Sequence, residues 1–455
     1  MTTDRTLVRR AGANLARGLG GSLPLALLPP LLARRLADDE FAVWILIVQL
    51  ASYVIYLEFG VQTAVSKTAA AAFAEGDIAK TRGPIAAGMR LLVITAAIGS
   101  GFVAVVAALL PALFDIPHGL TGTARLALLV LGIAAAVGLP ASAVHGALLG
   151  IGRNGVSAIV VVVSRLFGVG LTLVGVSLGW SLPVLALALA SGSLLNGVLP
   201  FVAARRIGLP AAMAGASPIQ RREILDLTAT FGAFTVATLL VSGVDVVVVG
   251  VVDFEQVAAY GLGASLVTVI AAGYTVMFTV LLPAFADSAA RGDRSEARQL
   301  VVRSTTLSSW ALAAGFVVAF AAEGPLMRQW AGAYAGDAGP VFLLLLAAGV
   351  VRLSALPLVQ YIVGVGDHRH ARIPAVGEAL LNLVLSIVLG AVIGARGVAI
   401  ATLIGAFAAL SYYLGHLAPR ALGRPRAWKM ATESYLLPAV LVAIAAALAQ
   451  ILVKA

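Results

Sequence analysis

Thirteen apolar runs, each about twenty residues or longer, divide this chain, and only short polar stretches separate them. A hydrocarbon slab roughly 30 Å thick takes about 20 apolar residues per helical crossing. Backbone amides inside that slab find no water, so each crossing must be a helix. With 60% hydrophobic and 11% charged residues, the chain is predicted to be an all-α polytopic membrane protein.

The runs lie at 12–33, 41–63, 84–112, 121–149, 155–179, 182–204, 226–252, 257–284, 304–322, 339–363, 371–394, 396–418 and 433–453. The first begins after Arg9-Arg10, but Pro24, Pro29 and Pro30 interrupt it and no small-residue cleavage site follows, so it reads as a retained helix rather than a removed leader. Orientation follows from the basic residues. With the N-terminus in the cytoplasm, 23 of the 31 Lys and Arg residues fall in inner segments and six in outer ones, as the positive-inside bias requires. The net charge of +10 is therefore spread over separate inner segments that meet anionic membrane lipids. A nucleic-acid reader would gather its charge on one face, so no nucleic-acid partner is expected.

The polar stretch 205–225 separates six runs from six. Gly76-Asp77 and Gly292-Asp293 stand 216 positions apart, and Gly150-Ile151-Gly152 and Gly364-Val365-Gly366 stand 214 apart. Two echoes at nearly one offset point to a duplicated six-helix unit, a parallel pseudo-repeat of the kind found in alternating-access transporters. The expected organisation is an N-terminal lobe at 1–204, a cytoplasmic linker at 205–225, a C-terminal lobe at 226–418, and a basic segment with an extra C-terminal helix at 419–455. The two six-helix lobes would surround a central cavity.

Several chemistries are excluded or disfavoured. With no cysteine there is no disulfide, thiolate catalysis or Cys-ligated metal. No Walker-type G-x-x-x-x-G-K-[ST] run exists to bind a nucleotide. The five histidines are not paired at helical spacing beside carboxylates, so neither a metal nor another cofactor is expected. Catalysis is disfavoured as well, since the one outer acidic cluster, Asp38-Asp39-Glu40, sits in a very short loop.

Charges within the apolar runs are costly, about 2.5–3.5 kcal/mol each on insertion scales, and mark interior polar surfaces. Arg165 lies near the middle of the fifth run and Arg352 near the middle of the tenth, with no carboxylate level with both. Such a pair suits an anion-attracting cavity, because the planar guanidinium fork matches phosphate oxygens. Asn196, Gln360 and Asn382 are the polar residues expected beside them, with Gln49 and Gln62 elsewhere in the apolar runs. Glu58, Asp245 and Glu378 are candidates for ion coupling. The competing assignment is scaffolding: Arg165 would pair with Asp245, and Glu58 would be a helix-end charge. Pro140, Pro283 and Pro357 fall within runs and should break the local hydrogen-bond ladder.

Tyr260-Gly261-Leu262-Gly263, Leu282-Pro283-Ala284-Phe285-Ala286, Arg291-Gly292-Asp293 and Ala297-Arg298, with Asp245 upstream, resemble the bacterial polysaccharide biosynthesis transporters. These are O-antigen-type flippases of the multidrug/oligosaccharidyl-lipid/polysaccharide (MOP) superfamily. Leu57-Glu58-Phe59-Gly60-Val61 and Gly150-Ile151-Gly152-Arg153 resemble the same family's first half. The resemblance implies two six-helix lobes around a cationic cavity in the bacterial inner membrane. It also implies transfer of an undecaprenyl-pyrophosphate-linked oligosaccharide to the outer leaflet, with a polysaccharide polymerase or ligase as partner. A thirteenth helix departs from the family's twelve- or fourteen-helix forms. Rival readings are a multidrug or cation antiporter, a lipid II flippase and, from another class, a membrane glycosyltransferase.

Overall fold

The computed structural model describes residues 27–439, apart from 77, 211, 212, 214, 280–284, 286–293 and 365–367. Most of the first apolar run, the thirteenth beyond 439, Pro24, Pro283 and the Asp77, Gly292-Asp293 and Gly366-Asp367 landmarks lie outside the described residues. Among the described residues the secondary structure is helical and no strand occurs. Nine helices there are long and apolar enough to cross a membrane, one of them Ile373–Leu422, which folds back on itself. The chain is a multi-pass membrane protein.

The helices divide between two compact units, one reaching Ala258 and the other starting at Ala259. In the first unit the helices are α1 (Asp38–Tyr56), α2 (Val61–Ala74), α3 (Arg82–Leu113), α4 (His118–Gly138), α5 (Ala141–Gly150), α6 (Asn154–Ser177), α7 (Leu182–Arg206), α8 (Pro218–Ser242) and α9 (Asp245–Val252). The main packing pairs are α6 on α7, α4 on α7, α2 on α5 and α3 on α4. Helix α8 begins inside the 205–225 stretch for a local reason. Pro218 takes the first helical position, Ser217 Oγ accepts from Gln220 N at 3.2 Å, and Gln220 Oε1 accepts from Ser217 N at 3.0 Å. That reciprocal cap satisfies two otherwise unpaired donors, and α8 then packs against α2 and α3.

Membrane exposure is visible along α3. Ile94, Ile98, Phe102, Val105 and Leu109 recur at a spacing of three or four and all stand exposed. An apolar stripe of that length on an outer helix face is a lipid contact, since nothing in water would favour it. Small residues let the helices behind it approach closely. A Cβ on Gly168 of α6 would lie 2.8 Å from the Leu189 carbonyl oxygen, and one on Gly192 of α7 would lie 2.6 Å from that of Ser164. Association in lipid rests on such backbone-to-backbone packing rather than on hydrophobic expulsion.

The second unit contains α10 (Val257–Thr279, all but its first two residues), α11 (Arg294–Ala321), α12 (Glu323–Ala331), α13 (Ala335–Ser354), α14 (Leu356–Gly364), α15 (His368–Tyr412), α16 (Ala418–Leu422) and α17 (Arg424–Ala431). Buried Phe285 meets Tyr361 of α14 edge-on, with ring centroids 5.5 Å apart. Tyr260, quoted in the same resemblance, is buried in α10. Both family-like aromatics therefore act in packing.

Two interruptions have one cause. The fourth run is split between α4 and α5 at Leu139-Pro140, and the tenth between α13 and α14 at Ala355, two residues before Pro357. A proline removes a ladder hydrogen bond and crowds the preceding turn. Pro140 and Pro357 are 217 positions apart, close to the offsets of the two loop echoes. The interruptions thus stand near the offset that a duplicated unit would give.

Helix α15 is two antiparallel arms joined at Ile393 (φ −133°, ψ 21°) and Gly394 (φ 62°, ψ −145°). The Gly394 backbone lies in a region essentially closed to residues with a Cβ, where occupancy costs on the order of 1–3 kcal/mol. Gly394→Ala should therefore lower the unfolding midpoint of the detergent-purified protein by several degrees in a thermal scan. An unchanged midpoint would mean that the corner relaxes freely.

Candidate functional site

Arg165 stands eleven residues past the start of α6, about 16 Å along the helix axis. Ile159, Val163, Leu166, Phe167 and Val174 mark the exposed side of α6, whereas Ser157, Ala158, Ser164, Gly168, Val169 and Thr172 are buried. At 100° per residue, Arg165 falls within the buried arc, between Thr172 and Val169, on the side turned from the exposed stripe. The side chain is half-buried and, among the described residues, makes no ion pair. The expected alternative, a latch between Arg165 and Asp245, is not formed.

The close contact of α6 and α7 at Ser164 and Gly192 sets the depth of Asn196. Asn196 lies four residues beyond Gly192, about 6 Å by helix rise, so it stands roughly one turn from the level of Arg165. Its Oδ1 is buried without a hydrogen-bond partner among the described residues, as is the Ser164 hydroxyl. A guanidinium and two unsatisfied oxygens at neighbouring levels are unusual inside a membrane helix pair, because an unmet buried polar group costs about 1–3 kcal/mol.

Arg352 occupies the last turn of α13, where a cation meets the negative end of the helix. Its Nη2 lies 2.7 Å from Glu378 Oε1, and its Nε donates to the same oxygen at 2.8 Å. Arg352 therefore has a carboxylate partner of its own. Glu378 is on the first arm of α15, and Gly405 of the second arm packs against its Cγ, which buries the carboxylate. Gln360 is half-buried on α14.

The structure places Asn382 in the α15 hairpin, one turn along the first arm from Glu378. Its Nδ2 donates to Thr402 Oγ1 at 3.3 Å and its Oδ1 accepts from Ser386 Oγ at 2.8 Å. The residue is fully buried and ties the two arms together. Glu58 sits half-buried in the turn between α1 and α2, where its Oε1 accepts the backbone N–H of Gln62 at 2.7 Å. A carboxylate at that place caps the start of α2. Asp245 is buried in the first turn of α9. Just before it, the Gly243 carbonyl accepts from Gln49 Nε2 at 2.9 Å and from the Tyr53 hydroxyl, which pins the α8–α9 turn to α1. The Tyr53 contact had no sequence signal, since its partner is a backbone group 190 residues away.

This helix order is a fold that the chain shares with solved flippase and multidrug-transporter structures. The chain resembles the lipid II flippase MurJ in an inward closed conformation at TM-score 0.71 and 13% identity, over 95% of this chain and 92% of that one. A multidrug resistance MATE family transporter of the MOP superfamily, inward-facing, matches at TM-score 0.68 and 16% identity over 92% and 95% of the two chains. The Vibrio cholerae MATE transporter VcmN in the bent form matches at 0.62 and 14%, over 95% and 100%. A sequence comparison with curated proteins finds no match. Residues 17–289 match the family described as polysaccharide biosynthesis protein, and the chain belongs to that family.

Proposed function

We propose that this protein is a flippase that moves an undecaprenyl-pyrophosphate-linked oligosaccharide from the inner to the outer leaflet by alternating access. The bacterial inner membrane, with the N-terminus in the cytoplasm, is its proposed place, and the twelve helices up to 418 form its two lobes. Family membership and the MurJ-like fold support the class. The observation that carries the substrate chemistry is Arg165, a guanidinium near mid-helix, turned from the lipid-facing side and without an acidic partner among the described residues. A permanent cation at that depth offsets its desolvation best by receiving an anion, and a diphosphate supplies oxygens that match the guanidinium fork. Asn196, with its unsatisfied Oδ1, is placed to accept from a sugar hydroxyl or amide near the same level. Gln360 and Arg352 are assigned to the substrate path of the second lobe, with Asn382 supporting it, and Glu58, Asp245 and Glu378 to coupling.

The test is movement of a fluorescent polyprenyl-diphosphate oligosaccharide between leaflets of proteoliposomes. Arg165→Ala should cut the rate about tenfold or more, the worth of one hydrogen bond to a charged group, without altering the size-exclusion profile. Arg165→Lys should recover only part of the rate, because it keeps the charge and loses the fork. Wild-type rates in both variants would remove Arg165 from the substrate path. No lipid movement, together with extrusion of a cationic dye under a proton or sodium gradient, would make the protein an antiporter.

A further inference from the structure

A groove of about 610 Å³ runs along α11 in the second unit, within the size range of small-ligand pockets. One wall is a single stripe of α11, from Arg298 and Arg303 at one end to Leu307 and Trp310 at the other. The stripe spans twelve residues, or about 18 Å. Arg426 and Lys429 of α17, with Glu433 just beyond, form the facing wall. Four cations against one carboxylate leave the lining net positive. The lone carboxylate is already engaged, since Glu433 Oε1 lies 3.8 Å from Lys429 Nζ. Arg303 and Arg426 are exposed and make no ion pair among the described residues.

The other end of the groove is apolar and held in place. Leu307 is 72% exposed. The Trp310 indole Nε1 donates to the Glu433 carbonyl at 3.1 Å, and Thr306 and Ser434 share a hydrogen bond at 2.9 Å, so the two walls are joined beneath the groove. Arg298 Nε donates to the Ala421 carbonyl at 3.1 Å, which fixes the basic end. A cationic mouth leading into an exposed apolar trough beside a membrane helix has the charge and polarity pattern of a phosphate head group followed by acyl chains. Basic pockets between membrane helices, with an aromatic at the interface, recognise anionic lipid in this way.

We infer that the α11–α17 groove is a binding site for an anionic phospholipid of the surrounding leaflet, with Arg303 and Arg426 on the phosphate and Leu307 and Trp310 along a chain. The site is independent of what the protein carries. Its test uses the full-length protein in phosphatidylcholine nanodiscs doped with phosphatidylglycerol brominated on its chains, which quenches nearby tryptophan. The difference between wild type and Trp310→Phe isolates the signal of Trp310. Quenching of Trp310 should reach half-saturation at about a tenfold lower mole fraction with brominated phosphatidylglycerol than with brominated phosphatidylcholine. The preference should vanish in an Arg303→Ala/Arg426→Ala variant and persist in the Arg303→Lys/Arg426→Lys variant. Both arginines are exposed, so the variants should keep the wild-type size-exclusion profile. Equal quenching by the two lipids would overturn the site. Relief of quenching by millimolar inorganic phosphate would instead make it a site for the free ion, and relief by undecaprenyl diphosphate below the phosphatidylglycerol concentration would make it a substrate site.

Discussion

Valine at Gly146 should leave almost no monodisperse protein after extraction. Helix α5 crosses α2 with Gly146 and Gly150, spaced i, i+4, set against the Gln62 and Ser66 carbonyls, spaced likewise. A Cβ on either glycine would come within 2.4 Å of the facing carbonyl oxygen. The obstacle is backbone, so no rotamer change relieves it and the helices must separate. Behind them Gly88 of α3 brings a third helix in, its Cβ position 2.5 Å from Val65 Cγ2 and 3.2 Å from Ala143 Cβ. Overpacking typically costs about 1–3 kcal/mol and more where backbone must move, out of a total stability of about 5–15 kcal/mol. Alanine at Gly146 should give a reduced yield and a lower unfolding midpoint, and valine should give aggregate. The control is Gly101→Val, on α3 where nothing stands within 4 Å of the added Cβ; it should behave as wild type. Equal yields from Gly146→Val and Gly101→Val, read by fluorescence-detected size exclusion, would show that α2 and α5 are not held in this contact.

The crossings were legible because apolar run length is a local property, and the membrane imposes one answer on it. The breaks inside the runs were legible only at Pro140 and Pro357, where a residue type itself forbids the ladder. That at 243–244 depends on partners far along the chain, Gln49 and Tyr53 on the Gly243 carbonyl, whereas that at 57–60 is held locally, by Glu58 on the Gln62 N–H. Counting along an unbroken run gives no sign of what faces Arg352. The interruption at Ala355 puts it at a helix end, where α15 can bring Glu378 to it. Asn382 could not be told from a cavity residue without knowing that Thr402 lies across the hairpin, twenty positions on. Among 48 glycines, nothing marks Gly146 and Gly150 as contacts except the structure that puts carbonyls opposite them. The groove on α11 has no sequence signal, because its basic residues come from two segments more than a hundred positions apart and look like ordinary inner-face charge.

Glu378→Ala and Arg352→Ala should each destabilise the protein by several kcal/mol, and reversing the pair should repair most of that loss. The two side chains differ in setting: Glu378 is 8% exposed, whereas Arg352 is 34% exposed. Removing one partner of a buried pair costs about 3–5 kcal/mol, chiefly because the other charge is left uncompensated. Arg352→Ala should therefore be the worse of the two, since it strands the buried carboxylate. Glu378→Ala strands a guanidinium whose side chain is less completely covered and should fall at the low end of that range. In Arg352→Glu with Glu378→Arg the attraction is restored with its geometry only roughly kept, so the unfolding midpoint should return most of the way. Transport in that double variant separates two roles that stability alone cannot. A pair that only ties α13 to α15 would work in either polarity, and lipid movement would return together with stability. An arginine that also receives a phosphate cannot be replaced by a carboxylate at position 352, so stability would return while transport stayed lost. The assignment of Arg352 to the substrate path requires the second result. The first would make Arg352 a scaffold residue and leave Arg165 as the cation that selects an anionic head group.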